Sequence, residues 1–289
     1  MRLRESTSRG KIIRLISQLT PLGIFPGEWE SAMAGQGFDL LQIRPYQQGD
    51  DLRNLHLPSL MQKRRKRIVD RASERQMKIY IYSDFSRSME RTRDIRDIAI
   101  ALVSFSSGKI YSALSLVAFS DKVRRSFPPA MGSENVERIV DWTLREGHYA
   151  GITNIRNALS HSVSFCERRS LVFFISDFFC ELDYFEEMKR AGQMFDLVPV
   201  IVRDPQKTID FSASAYFLCK DPETGKESPV YLSKKERSKI EDEASRFYGD
   251  LDKMFGELNM KYITLDDPGI TVCYGEFQKF FARRLARIH

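Results

Sequence analysis

The chain has 289 residues, of which 42% are hydrophobic, 11% aromatic and 29% charged, with 16 Gly and 11 Pro. These values exclude collagen-like and low-complexity chains, and the abundance of Phe, Ile, Leu and Val excludes disorder of the whole chain. A total of 45 Lys and Arg against 39 Asp and Glu leaves +6, which permits an acidic partner without requiring one.

In chain order, residues 1–76 stand apart from the rest. Ile12–Leu19 is interrupted by Arg14, Ser17 and Gln18, so no secretory signal is expected, with an amphipathic anchor over 9–20 as the alternative. Pro21–Gly37 is loop-like, Phe38–Tyr46 reads as a strand, and Gln48-Gly49-Asp50-Asp51 as a turn. The segment closes on five consecutive cations, Lys63–Arg67. It is expected to be a small β-rich appendage.

From Met77 strands and helices alternate. Ile79–Tyr82 is a compact apolar strand ending at Ser83-Asp84. Ile95, Ile98, Ala99 and Leu102 then share one helical face. Strands are expected at Leu114–Phe119, at Val123–Phe127 as an edge, at Leu171–Ser176 and at Leu197–Val202. Helices are expected near 133–145, 154–167 and 181–193. A hairpin, Ala215–Cys219 with Val230–Leu232, forms an insertion near 210–232. It precedes a long helix through Ile240, Phe247, Leu251, Met254 and Leu258, a strand Tyr262–Leu265 and a last helix with Phe277, Phe280, Phe281 and Leu285 inward. The alternation predicts an α/β domain over 77–289, a doubly wound and mostly parallel sheet. No apolar run approaches the roughly 18 residues of a membrane helix. Cys166, Cys180, Cys219 and Cys273 are scattered singly, which argues for buried free thiols and against a zinc site.

In open parallel sheets, ligands sit beyond the carboxyl ends of the strands. Three segments reach that edge: Asp84-Phe85-Ser86-Arg87-Ser88, the loop Gly151-Ile152-Thr153-Asn154, and Asp177 after the strand 171–176. They offer two carboxylates and three hydroxyls. All are oxygen donors, which suits a hard ion, Mg²⁺ first, with Mn²⁺ or Ca²⁺ as alternatives.

The order Asp84-x-Ser86-x-Ser88, Thr153, Asp177 resembles the metal-ion-dependent adhesion site of a von Willebrand factor A (vWA) domain. The resemblance implies Ser86, Ser88 and Thr153 in direct contact with the ion, and Asp84 and Asp177 acting through water. Upstream, Gly35-x-Gly37-Phe38, Arg44-x-Tyr46 and Gly49-Asp50-Asp51-x-Arg53-x-Leu55 resemble the hallmark of bacterial proteins grouped as domain of unknown function 58. In that family the hallmark precedes a vWA domain. The usual Ile-Asp-Trp triplet and Ala-Arg pair are replaced here by Leu55-His56-Leu57 and Met61-Gln62. Gly49-Asp50-Asp51 reads first as a tight turn in which Asp51 pairs with Arg53 or Arg44, and Arg44, Asp50, Asp51 and Arg53 are alternatively candidates for partner docking.

The expected function is a non-enzymatic interaction module. A partner's Asp or Glu would complete the metal shell, and family resemblance implies work beside a MoxR-type AAA+ ATPase. The expected location is cytoplasmic, at the membrane periphery only through a partner. The alternatives are a metal-free scaffold or a nucleic-acid or anionic-surface binder using 63–67, although no aromatics interleave with those cations. A Mg²⁺-dependent phosphohydrolase is disfavoured, because the second acid of the dehalogenase type is replaced by Ser86 and no Walker loop exists.

Overall fold

A computed structural model describes residues 42–45, 67–70, 78–109, 112–145, 149–203, 215–220, 227–232 and 234–285. Strands β1 (Gln42–Pro45) and β2 (Arg67–Asp70) form an antiparallel ladder of their own. The main sheet begins with β3 (Lys78–Asp84). After it come a 3₁₀ turn over Arg87–Glu90, helix α1 (Arg93–Lys109), strands β4 (Ala113–Phe119) and β5 (Val123–Ala130), and helices α2 (Ser133–Thr143) and α3 (Ile155–Phe165). Next are β6 (Leu171–Ser176), α4 (Phe185–Met194), β7 (Asp196–Val202) and the hairpin β8 (Ala215–Lys220) with β9 (Glu227–Leu232). The chain continues through α5 (Lys234–Glu257), β10 (Ile263–Leu265) and α6 (Ile270–Leu285).

The six-stranded sheet has the order β10-β7-β6-β3-β4-β5, parallel throughout except for β5 at one edge. This is the doubly wound α/β architecture the sequence predicts. Alternation along each strand divides the core into two layers. Ile79, Ile81, Leu116, Phe173, Ile175 and Val200 pack with α1, α2 and α6. Tyr80, Tyr82, Phe119, Val172, Phe174 and Ile201 face α3, α4 and α5. Because helices cover both faces, the central strands are apolar on both sides and read as continuous runs. The antiparallel edge β5 carries Arg124 and Arg125 with Pro128 and Pro129, a composition that blocks pairing with another chain.

Several boundaries differ from expectation. Helix α4 begins at Phe185 rather than near 181 because residues 178–184 form a loop. In that loop Phe178 takes a left-handed φ of 56° and Cys180 N–H bonds back to the Phe178 carbonyl. Helix α6 begins at Ile270, since Ile270, Cys273 and Tyr274 are buried before Phe277. Cys166 and Cys273 are buried free thiols, but Cys180 is only partly buried. Most of the expected strand Phe38–Tyr46 lies outside the described residues, as do Asp50, Asp51, Arg53 and Lys63–Lys66. Arg44 pairs with Ile68 across the β1–β2 ladder, and Arg67 opens β2. Among the described residues, no helix is long and apolar enough to cross a membrane.

Candidate metal centre

The sheet's winding reverses between β3 and β6, where neighbouring strands send their chains to opposite sides. At that switch point the carboxyl ends leave a crevice. Asp84 is the last residue of β3, and Ser176 and Asp177 follow the apolar part of β6. Asp84 is fully buried, and both its oxygens are engaged. Oδ1 accepts the Ser86 backbone N–H at 2.8 Å, and Oδ2 accepts the Ser176 hydroxyl at 2.8 Å. The first bond folds the chain back immediately after the strand, an Asx turn that lifts Ser86 and Ser88 over the sheet edge.

The three hydroxyls expected from the sequence converge. Thr153 Oγ1 donates to Ser86 Oγ at 2.8 Å, and Ser86 Oγ lies 3.1 Å from Ser88 Oγ. Thr153 is brought there by backbone pairing of its loop with the β3 turn. Ala150 N–H donates to the Phe85 carbonyl at 3.1 Å, and Arg87 N–H to that of Gly151 at 3.2 Å. Asn154 then caps α3, its side chain accepting the Asn157 N–H at 2.9 Å. Asp177, 6% exposed, accepts the Phe179 N–H at 3.0 Å.

Burial, and after it the charge of Asp177, raise the Asp84 carboxyl to about 6 against the lowering effect of the Ser86 and Ser176 donors. Two carboxylates close enough to repel across a buried site leave a demand for positive charge. Among the described residues no cluster of three or more His, Cys, Asp or Glu could answer it in the manner of a zinc site. His161, the one described imidazole, pairs instead with the Tyr82 hydroxyl at 2.8 Å within the opposite helical layer. The donors present, hydroxyls in front and carboxylates behind, therefore fit a hard divalent cation held through oxygen.

Sequence reasoning missed four features. Ser176 orients Asp84; its trace was a polar residue closing the apolar run 171–175. Gly151 has φ 74°, and a Cβ there would lie 2.5 Å from Asp121 Oδ1 and 2.8 Å from Arg124 Nη2. Gly151→Ala is therefore expected to displace the Thr153 loop and weaken cation binding about tenfold at a stability cost of about 1–2 kcal/mol, measured by titration and denaturant unfolding. Arg96, 1% exposed, is sandwiched between the rings of Phe85 at 3.7 Å and Tyr149 at 4.8 Å, the two residues that precede the paired loops. Its guanidinium bonds Asp97 Oδ1 through Nη2 at 2.6 Å and Nε at 3.1 Å. Finally, an open cavity of about 830 Å³ lies over the hydroxyls, with Ile152, Phe179 and Cys180 on its wall.

A family profile for proteins of unknown function, DUF58, matches residues 42–247, which includes every element of this site. The chain belongs to the DUF58 family. No curated protein matches it in sequence. Solved structures similar to this DUF58 chain include BatB from Bacteroides thetaiotaomicron, at 11% identity and TM-score 0.45, covering 73% of this chain and 99% of that one. An aerotolerance-related membrane protein from Bacteroides fragilis, carrying multiple mutations to serines, matches at 12% identity and TM-score 0.43 over 73% and 99%. Proximal thread matrix protein 1 from the mussel byssus, with a zinc-occupied MIDAS motif, matches at 16% identity and TM-score 0.34. That likeness covers 44% of this chain and 38% of the mussel chain.

Proposed function

We propose that this DUF58 protein is a non-enzymatic, metal-dependent interaction module whose cation joins it to a carboxylate of a protein partner. The observation that carries the reading is the meeting of Ser86, Ser88 and Thr153 hydroxyls from two separate loops, 2.8 and 3.1 Å apart, above buried Asp84 and Asp177. Ser86, Ser88 and Thr153 would touch the ion; Asp84 and Asp177 would orient them and hold water. Hydroxyl ligands are neutral, so the cation keeps much of its charge and attracts one more anionic oxygen, which a partner's Asp or Glu supplies. Mg²⁺ is the first choice for such a donor set, with Mn²⁺ and Ca²⁺ as alternatives.

Asp84 is held by two donors beneath the hydroxyls, and Ser86 has Thr153 and Ser88 as neighbours rather than an imidazole. The family resemblance adds a MoxR-type AAA+ ATPase as the expected partner and a cytoplasmic setting. The appendage 1–76 is proposed as a second docking element, with Arg44, Asp50, Asp51 and Arg53 as its candidate contacts.

Calorimetric titration of EDTA-stripped protein with Mg²⁺ and Mn²⁺ tests the centre. Saturable one-site binding is expected in the wild type, and Thr153→Ala should weaken it by at least about tenfold with an unchanged circular dichroism spectrum. Equal binding by both proteins would overturn the assignment.

A further inference from the structure

Four large apolar side chains stand exposed among the described residues: Met131, Ile152, Phe179 and Val272. Two of them, Ile152 at 62% and Phe179 at 50% exposure, lie on the wall of the cavity over the hydroxyl cluster. Each is built into the site's own backbone. Ile152 stands between Gly151, whose φ of 74° makes the turn, and Thr153, which supplies a hydroxyl. Phe179 is anchored through its N–H on Asp177. The left-handed Phe178 before it is buried against Phe174 and Phe255, so that of the two consecutive rings one enters the core and the other faces outward. The Phe179 ring is propped on Phe247 of α5 at 5.0 Å between centroids. A supported ring of this kind loses little freedom on binding.

The charges on the wall do not choose a ligand. Arg156 and Asp183 neutralise each other at 3.0 Å, and the exposed Arg87 and Glu181 balance. Attraction for an anion at the centre therefore falls to the cation, and the apolar flanks decide which anion is preferred. The cavity, at about 830 Å³, is many times the ~30 Å³ share of one water. It has room for a carboxylate together with the side chains beside it. A free small carboxylate would leave Ile152 and Phe179 in water. A protein segment with apolar neighbours covers them, expels water from around the central ion contact and strengthens it by lowering the local dielectric.

We infer that Ile152 and Phe179 form a specificity rim that selects a partner segment whose Asp or Glu is flanked by apolar side chains. This rests on the metal-centre reading above. The test uses synthetic peptides with a fixed central Asp or Glu, flanked either by Leu and Phe or by Ser and Gln. Fluorescence anisotropy is read in Mg²⁺, and Mg²⁺ affinity is titrated separately. Apolar-flanked peptides are expected to bind about tenfold tighter than polar-flanked ones. Ile152→Ser and Phe179→Ser should each erase most of that preference while leaving Mg²⁺ affinity unchanged. Equal binding of the two peptide sets, binding of neither, or a preference that survives both substitutions would overturn the rim. Failure of Mg²⁺ to bind the wild type overturns the metal reading and, with it, the cation-centred form of the rim.

Discussion

Asp84→Asn is expected to abolish Mg²⁺ binding and at the same time to raise the thermal stability of the metal-free protein at pH 8. The carboxyl is fully buried, and burial together with Asp177 moves it from its ordinary 3.8 to about 6. In the unfolded chain the same group ionises near the ordinary value, so the native state binds more protons between about pH 4 and 6 and loses stability across that window as pH rises. Above pH 6 the penalty is complete, on the order of 3 kcal/mol at about 1.4 kcal/mol per unit. Asparagine removes the charge and keeps the shape. Its Oδ1 can accept the Ser86 N–H, and its Nδ2 can face Ser176 Oγ, the two partners Asp84 now has. At roughly 2–4 °C per kcal/mol for a chain of this size, a rise of several degrees is expected in EDTA at pH 8. Little change is expected at pH 3, where the carboxyl is largely protonated in both states. Added Mg²⁺ should raise the melting temperature of the wild type by mass action and leave the variant unmoved. A variant that melts below the wild type at pH 8 in EDTA would show that Asp84 is not held as an uncompensated charge.

The second large effect concerns Arg96. Its guanidinium forks onto Asp97, stacks between Phe85 and Tyr149, and brings Nη1 to 3.5 Å from the Asp84 carbonyl. Arg93 reaches Asp97 only at 3.4 Å and is itself tied to the Leu144 carbonyl. Burial pushes the Asp97 carboxyl up in spite of both arginines. Arg96→Met would therefore leave a buried carboxylate short of its main partner, at a cost of about 3–5 kcal/mol in denaturant unfolding. Arg96→Met with Asp97→Leu should recover much of that loss, because neither charge then remains to be desolvated. Arg96→Lys keeps the charge but loses the planar stack and the fork, and should fall between the two. An Arg96→Met variant within about 0.5 kcal/mol of the wild type would mean that water reaches Asp97.

The central strands were legible because a parallel strand buried on both faces has no polar side to interrupt it. Ile79–Tyr82, Leu114–Phe119, Leu171–Ser176 and Leu197–Val202 all lie within the observed strands. The last strand and the hairpin were legible for a related reason, short β-rich runs bounded by turn residues. The start of α4 was not. The segment Cys180–Tyr184 has helix-compatible residues, but the preceding turn, with Phe178 left-handed, Phe179 N–H on Asp177 and Cys180 N–H on the Phe178 carbonyl, holds it in a loop. For the last helix only the inward face of Phe277, Phe280 and Phe281 was legible, not its start at Ile270. Its first turn, Ile270–Cys273, buries Ile270 and Cys273 with the exposed Val272 between, so its inward face is weak as a pattern.

At the site, the sequence determined which donors were available and at which strand ends. Asp84, Ser86, Ser88 and Asp177 are short oxygen-bearing residues that close or follow apolar strands, and Thr153 lies in the loop that opens a helix, placements that follow from local chain geometry. What only the tertiary structure decided was how those donors are supported and surrounded. Ser176 became a partner of Asp84 because β3 and β6 are neighbours in the sheet, a pairing that joins residues distant in sequence. Arg96 and Asp97 sit on a helix whose exposed positions are also charged. Burial of that pair depends on Phe85 and Tyr149 closing over it from two loops. Ile152 and Phe179 could have been core or surface by composition alone. Their exposure beside the hydroxyls follows from the turn at Gly151 and the left-handed Phe178, backbone states that side-chain periodicity does not encode.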